Sequence, residues 1–300
     1  MHREPHHEQR NGIIVAVTTY SLWGLLTVYW KQLEHFDAFE LIGWRIVASA
    51  VVMAAVLTFT HRWQNVIAVF RDRRLLLTVT ITSLFLTVNW TSYVWAVVHD
   101  HVLETALGYF VAPLGTVMVG VIVLHEPLRL AQKVAIAFAL TSVAVLTASY
   151  GRVPWLALAI AVSWTVYGYM KKQVPLSPVD SMAAETFVLV APALVIAVAL
   201  AGRVGSIPHS ASNGQLAFAI CTGLATAGPL ILFAFAAHRV PLTIIGPMQY
   251  IVPTMNFLIG WLIYDEAMPA DRLIGFALVW IGLIVLTVES LVRARRLRVT

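Results

Sequence analysis

Charge is what this chain has least of. Its 300 residues include 20 Lys and Arg and 15 Asp and Glu, 12% in all, about half the roughly 25% of a soluble domain. With 59% hydrophobic residues and a mean hydropathy of +0.80, that scarcity excludes a soluble enzyme, a nucleic-acid reader and a disordered chain. Cysteine is almost absent as well. Cys221 stands alone inside an apolar run, so there is no disulfide framework, paired redox centre or cysteine zinc cluster. Nor is there a GxxxxGK[ST] loop, an HExxH or a GxSxG, which argues against ATP-driven pumping and hydrolysis by this chain. No cofactor or metal is expected, and no enzymatic activity.

What is present is length of apolar sequence. Ten runs stand out, at 12–30, 39–59, 75–98, 104–124, 131–149, 153–170, 182–201, 216–237, 241–264 and 270–292. Each is close to the roughly 20 residues that a helix at 1.5 Å per residue needs to cross the hydrocarbon core. The runs are continuous rather than alternating, so helices and not barrel strands are expected. The expected fold is an all-α integral membrane protein of ten transmembrane helices. The polar, His-rich start (His2, His6, His7) is followed by an apolar stretch too long for a signal-peptide core and lacking a small-residue cleavage site. A retained tail is expected there.

The net charge of +5 is explained by loop position rather than by a polyanionic partner. Fifteen Lys and Arg fall in the termini and loops on one side of the ten runs and four on the other, with Arg45 left inside a run. Cation-rich loops stay cytoplasmic, so both termini are expected in the cytoplasm, as an even number of spans requires.

Laying the chain over itself at a constant offset exposes an internal repeat. Pro113 meets Pro253, Gly120 meets Gly260 and Glu126 meets Glu266, without gaps as far as Val145–Leu146 against Val285–Leu286. With the offset lengthened by one position, Trp23 and Lys31 meet Trp164 and Lys172. The expected organisation is a tail at 1–11, a five-helix repeat at 12–150, a second at 151–292 and a basic tail at 293–300. Five helices is an odd number, so the second repeat enters the bilayer from the opposite face. Such inverted repeats are a recurring plan of secondary transporters, with the substrate site near mid-membrane between the halves.

Polar groups inside the runs need explaining. A central Arg costs roughly 2.5–3.5 kcal/mol on insertion scales. Arg45 reads either as an anion or proton-coupling site or as a snorkelling side chain paired with Glu40 or Glu104. Glu185 occupies the position equivalent to Arg45, but inversion sets the two at opposite ends of their helices. Asn89, Trp90, Tyr93, Trp95, Glu104, Gly108, Tyr109 and Pro113 form the densest polar and aromatic cluster, with Asn89 and Tyr93 one turn apart on a shared face. Gln249, Tyr250, Pro253 and Asn256 surround the repeat-related proline, and Pro or Gly within a membrane helix can break it around a site. Kinked packing helices are the plainer reading; substrate lining is the sharper one. His99, Asp100 and His101 fit a wet turn better than a metal site. The candidate substrate-binding set is Trp23, Arg45, Asn89, Tyr93, Glu104, Tyr109, Gln249 and Tyr250.

At SLWG (21–24), YWK (29–31), Glu40 with Arg45, NWTSYVWAV (89–97), LGYF (107–110) with Pro113, and QYIVPT (249–254), the chain resembles RarD-like proteins of the EamA branch of the drug/metabolite transporter superfamily. The similarity runs in order over about 12–290. It implies ten helices in two inverted EamA-like repeats and secondary export across the bacterial inner membrane. With the polar residues inside the runs, the expectation is a proton- or gradient-coupled exporter of small amphipathic metabolites or drugs. Four positions depart from that family's pattern: Trp44 stands where a His is usual, Ala106 and Ala112 where a Ser and an Asn are, and Thr27 where a Pro is. The substrate therefore does not carry over with the resemblance. The rival reading from the residues is a non-transporting membrane scaffold or sensor, which would need no polar-lined cavity.

Overall fold

In the computed structural model, which describes residues 4–237, 239–240 and 242–296, the apolar runs become helices and no strand forms among the described residues. In order they are α1 (Glu4–Lys31), α2 (Ala38–Thr60), α3 (Trp63–Arg71), α4 (Arg73–Val98), α5 (Val102–Ile122), α6 (Leu130–Tyr150), α7 (Trp155–Lys171), α8 (Pro178–Ala201), α9 (Ile207–Ser210), α10 (Asn213–Ala237), α11 (Leu242–Met248), α12 (Ile251–Leu262) and α13 (Ala270–Arg296). Among the described residues, eight of these are long and apolar enough to cross a membrane: α1, α2, α4, α5, α6, α8, α10 and α13. The sixth expected span, α7, has 17 residues. The ninth is divided into α11 and α12.

Local chemistry sets the boundaries. Asp37 begins α2 by accepting from Phe39 N at 2.8 Å and Glu40 N at 3.2 Å, and Asp72 begins α4 through Arg74 N and Leu75 N at 2.9 and 3.1 Å. Ser177 caps α8, with Pro178 in its first turn where a missing N–H costs nothing. Gly151 closes α6 in the left-handed region at φ 65°. The ninth run breaks at Gln249–Tyr250. Four positions later Pro253 has no N–H to return to the Gln249 carbonyl. Helix α1 begins at Glu4, within the polar start. The basic stretch 61–74 holds a short helix, α3, whose Val66 and Val69 turn inward while Trp63 stacks on Phe187 at 5.6 Å.

The helices pair across the chain. α2 packs on α8, α6 on α13, α5 on α7 and α12, and α1 on α10 and α12. Several crossings depend on a missing side chain, and two of them are related to each other. A Cβ on Gly24 would lie 2.6 Å from Met255 Sδ, and one on Gly115 would lie 2.2 Å from Thr165 Oγ1. Gly115 and Met255 are related by the repeat offset, and Gly24 and Thr165 by that offset plus one. The same close approach therefore recurs with the glycine on the other partner. One end of the bundle, called upper here, gathers the loops near 32–37, 99–101, 151–154, 202–206 and 263–269. The lower end gathers those near 61–72, 123–129, 172–177 and 239–240.

Other details recur at the same offset. The turn after α5 bonds Glu126 N to Gly120 O at 3.0 Å, with His125 at φ 54°. The turn after α12 bonds Glu266 N to Gly260 O at 3.0 Å, with Asp265 at φ 50°. Glu40 accepts from Ile207 N of α9 at 3.0 Å, and Asp180, its repeat counterpart, accepts from Asn65 Nδ2 of α3 at 3.1 Å.

Candidate functional site

The buried polar residues of the bundle assemble around Arg45, two turns below the start of α2. The side chain is 4% exposed. Its Nε donates to Thr226 Oγ1 on α10 at 2.9 Å, and Thr226 in turn donates to Thr222 O. The guanidinium lies over the Trp90 ring at 4.1 Å and beside Trp30 at 5.3 Å. Neither expected carboxylate reaches it. Glu40 accepts from Ile207 N and Trp44 Nε1. Glu104 pairs with Arg152, and Glu185 pairs with Lys171 at 2.5 Å. Snorkelling onto Glu40 or Glu104 is therefore corrected. Each of those carboxylates is held where another donor lies nearer, and Arg45 has no acidic partner among the described residues.

The magnitudes matter here. A fully desolvated ion costs several kcal/mol even after relaxation. A desolvated cation–π contact returns about 2 kcal/mol, and the Thr226 bond about 1.5–3 kcal/mol. Those contacts hold the cation in place without neutralising it.

Two hydrogen-bond networks flank the arginine. In the first, Thr27 Oγ1 donates to Asn256 Oδ1 at 2.9 Å and meets Tyr93 OH at 2.8 Å. Asn256 Nδ2 donates to Thr105 Oγ1 at 3.1 Å. This ties α1, α4, α5 and α12 together at residues that are all buried. In the second, Tyr109 OH donates to Asn89 Oδ1 at 3.0 Å, while Asn89 Nδ2 reaches Ile160 O and Ser163 Oγ at 3.2 and 3.4 Å, joining α4, α5 and α7. The Tyr93 and Tyr109 rings lie 6.0 Å apart, and both pack into the cluster that holds Trp30, Trp90 and Tyr29.

The structure thus brings together four of the eight expected residues: Arg45, Asn89, Tyr93 and Tyr109. Trp23 lies elsewhere, against Tyr20 and Phe233 at 5.5 and 5.7 Å, in a cluster with Met248 and Ile251 beside the break in the ninth run. At that break Gln249 is exposed and Tyr250 half-buried. Glu104 belongs to an upper-end cluster with Arg152 and Tyr150, over which Arg272 lies at 4.3 Å. Thr226 carried no motif and is recognisable only from its contact. Trp30 and Thr27 sit in the first run, where nothing but three-dimensional proximity marks them.

A cleft of about 270 Å³ opens at the upper end between Glu34–Phe39, Trp95 and His99; it is not lined by Arg45, Asn89, Tyr93 or Tyr109, though Phe36, Ala38 and Trp95 share the apolar cluster into which the two tyrosines pack. Lys31 closes that end beside it, paired with Glu34 at 2.6 Å and with Asp100. At the same end the two carboxylate oxygens of Glu266 accept from Val102 N at 2.5 Å and Leu103 N at 2.9 Å at the start of α5. Burial nonetheless pushes the Glu266 carboxyl above its ordinary value, against the pull of the two amides. Glu126, its counterpart at the lower end, is exposed and its side chain has no hydrogen bond or ion pair among the described residues.

A multi-pass helical membrane protein with a buried polar core is what this fold and these clusters define. The chain belongs to the EamA-like transporter family, whose model matches residues 10–148 and again 152–288. It is similar to Protein RarD of Streptomyces exfoliatus, at 39% identity over 97% of this chain and 93% of that protein. It is also similar to the uncharacterized transporter YojE of Bacillus subtilis, at 34% identity over 94% and 95%. A solved crystal structure covering 96% of this chain and 99% of its own shares the fold, with a TM-score of 0.59 at 20% identity. The protein is accordingly a membrane transporter of the drug/metabolite superfamily and a RarD-like member of it.

Proposed function

We propose that this protein is a secondary transporter that exports small metabolites or drugs across the inner membrane by alternating access between two inverted five-helix repeats of a ten-helix bundle. With fifteen Lys and Arg at the lower end and its termini, that end faces the cytoplasm. The observation that carries the reading is the unequal state of two equivalent latches. Glu266 holds the start of α5 at the upper end, while Glu126, its repeat counterpart in the same kind of turn, is exposed and its side chain has no partner among the described residues. The backbone amides at 242 and 243, which begin α11, are the counterparts of those at 102 and 103. Closing the lower latch onto them and releasing the upper one converts one state into the other. Arg45, Asn89, Tyr93 and Tyr109 line the site between the latches. Trp23, Gln249 and Tyr250 flank the path from the cytoplasm, and Glu104 belongs to the outer closure. Protons are the coupling ion that fits a carboxylate at each latch.

Paired cysteines test this in a Cys221→Ser background. A Cβ on Gly260 lies 3.2 Å from Val102 Cβ, close to the roughly 3.8 Å of a disulfide. Val102→Cys with Gly260→Cys should cross-link readily, and Leu242→Cys with Gly120→Cys should cross-link in a fraction of molecules. In the four-cysteine protein each link should exclude the other. Formation of both in one molecule, or failure of the lower pair under every condition, overturns alternating access.

A further inference from the structure

We infer that the substrate is an organic monoanion, a carboxylate on a planar aromatic body, and that Arg45 is its anchor. The inference rests on the transporter reading and adds the chemistry of the cargo. The hydrogen-bonding balance around Arg45 is one-sided. Of the five guanidinium N–H groups, the one on Nε is taken by Thr226, and no hydrogen bond from the two terminal nitrogens forms among the described residues. Trp30, 1% exposed and beside that guanidinium, has an Nε1–H with no acceptor. Ser49, fully buried one turn below Arg45 on the same helix, has an Oγ with no partner. Two buried groups able to donate, Trp30 Nε1 beside the guanidinium and Ser49 Oγ one turn below it, lack an acceptor among the described residues.

The nearby acceptors do not reach it. Glu40 and Glu185 have their own donors, Glu104 is drawn to Arg152 at the upper end through one oxygen while its Oε2 has no partner among the described residues, Thr226 Oγ1 is already used, and Asn89 Oδ1 is held by Tyr109. A protein that needed Arg45 only for packing would pair its charge with a carboxylate, as Glu185 pairs Lys171, because a largely desolvated cation without a counter-charge is costly. A ligand can supply the counter-charge instead. The open edge offers two parallel N–H groups, the geometry that a carboxylate accepts in bidentate fashion. The walls select the rest of the molecule. Trp90 covers one face of the guanidinium, and Trp30, Tyr93 and Tyr109 pack into the same cluster, a surface on which a planar apolar body stacks. No carboxylate pairs with Arg45 among the described residues, and the buried Glu40 and Glu185 on α2 and α8 are held by Ile207 N and Lys171, so an organic cation is disfavoured.

The test uses the full-length protein in nanodiscs with phenylacetate, its neutral isostere phenylacetamide, and sodium chloride as probes. Phenylacetate at millimolar concentration should quench or shift tryptophan fluorescence and raise the melting temperature; phenylacetamide should do neither. Arg45→Gln should weaken phenylacetate binding at least about tenfold, the loss of one charge-assisted pair. Arg45→Lys should recover part of that affinity, since it keeps the charge and loses the fork. Matching elution profiles and helical circular dichroism establish that the variants are folded. Equal binding of acid and amide, no binding of the acid, or undiminished binding to folded Arg45→Gln overturns the inference. Full protection by chloride alone also overturns it, since the site would then hold a resident inorganic ion. Binding of phenylacetate by a protein whose two latches never alternate would sink the transport mechanism and leave the anionic site standing. Exclusive latches with equal acid and amide binding would do the reverse.

Discussion

Removing the upper latch should shift the conformational balance by an amount the structure bounds. Val102 N and Leu103 N belong to the first turn of α5, where no intrahelical acceptor exists, and Glu266 supplies both of their bonds. Glu266→Ala deletes both. A lost cap of this kind costs about 0.5–2 kcal/mol. The raised pKa of Glu266 says that burial already takes back part of what the amides give, which places the net effect near the middle of that range, about 1 kcal/mol. At about 1.4 kcal/mol per tenfold, the ratio of upper-open to upper-closed molecules rises about fivefold. Spin labels at the exposed positions His99 and Ala267 report the upper gap, and labels at Leu124 and Arg239 report the lower one. In double electron–electron resonance, Glu266→Ala should enlarge the long-distance population of the first pair and shorten the second. Glu126→Ala should do the opposite, because its carboxylate serves only the other state. If Glu266→Ala leaves both distributions unchanged, or if the two substitutions move them in the same direction, the coupled-latch reasoning is wrong.

Acidification tests the same latch from the proton side. The Glu266 carboxyl holds its proton more tightly in the closed latch than in water. Protons therefore favour closure, and this contribution is lost as pH rises from the ordinary carboxylate value of 4.5 through the raised one; the short-distance population of the upper pair should grow as pH falls through that window and stay level with Gln at 266. At the helix crossing of α2 and α10, Gly223→Ala places a Cβ 2.4 Å from Ala48 O. Overpacking against backbone should lower stability by about 1–3 kcal/mol, read as a lower melting temperature in detergent. Asn256→Ala cuts the bonds to Thr27 and Thr105. Interhelical bonds in bilayers average about 0.6 kcal/mol and reach about 1.7 kcal/mol, so a loss of about 1 kcal/mol should register in the same melt. Glu104→Gln should spare phenylacetate binding, since its ion pair with the half-exposed Arg152 lies outside the arginine cluster.

The spans were legible because lipid imposes a single rule on each of them: enough consecutive apolar residues, with every amide bonded within the helix. That rule does not say where a helix bends. The ninth run reads as one span because it is apolar along nearly all its length, and it divides because Pro253 removes one bond at a place where Gln249 is exposed. Pro113, at the equivalent place in α5, leaves that helix whole. Arg45, Asn89, Tyr93 and Tyr109 were recognisable because polar groups are costly in a bilayer, and cost is a property of each residue alone. Their partners were not. Thr226 and Thr27 are cheap in any helix, where a hydroxyl can bond back to the preceding turn, so only the packing of α10 and α1 against α2 and α4 gives them a role. The same limit applies to Glu104, whose pairing with Arg152 at the upper end is set by packing.

The repeat carried more information than its few identities suggested, because it sets an expectation of symmetry against which each departure stands out. Capping by Asp37 and Ser177, the left-handed His125 and Asp265, and the glycine crossings at Gly24 and Gly115 obey the offset. Glu126 and Glu266 obey it in backbone and violate it in contact. On the alternating-access reading proposed above, a difference between the two halves at equivalent positions marks a choice of state. α5 couples the two choices: its first turn is gripped by Glu266, and the turn after its last residue carries Glu126. On the alternating-access reading, unbroken α5 exchanges one partner for the other while the divided helix α11–α12 bends between its two positions. A change that straightens it, Pro253→Ala with restored bonding to Gln249, should therefore slow exchange between the states more than it shifts their populations.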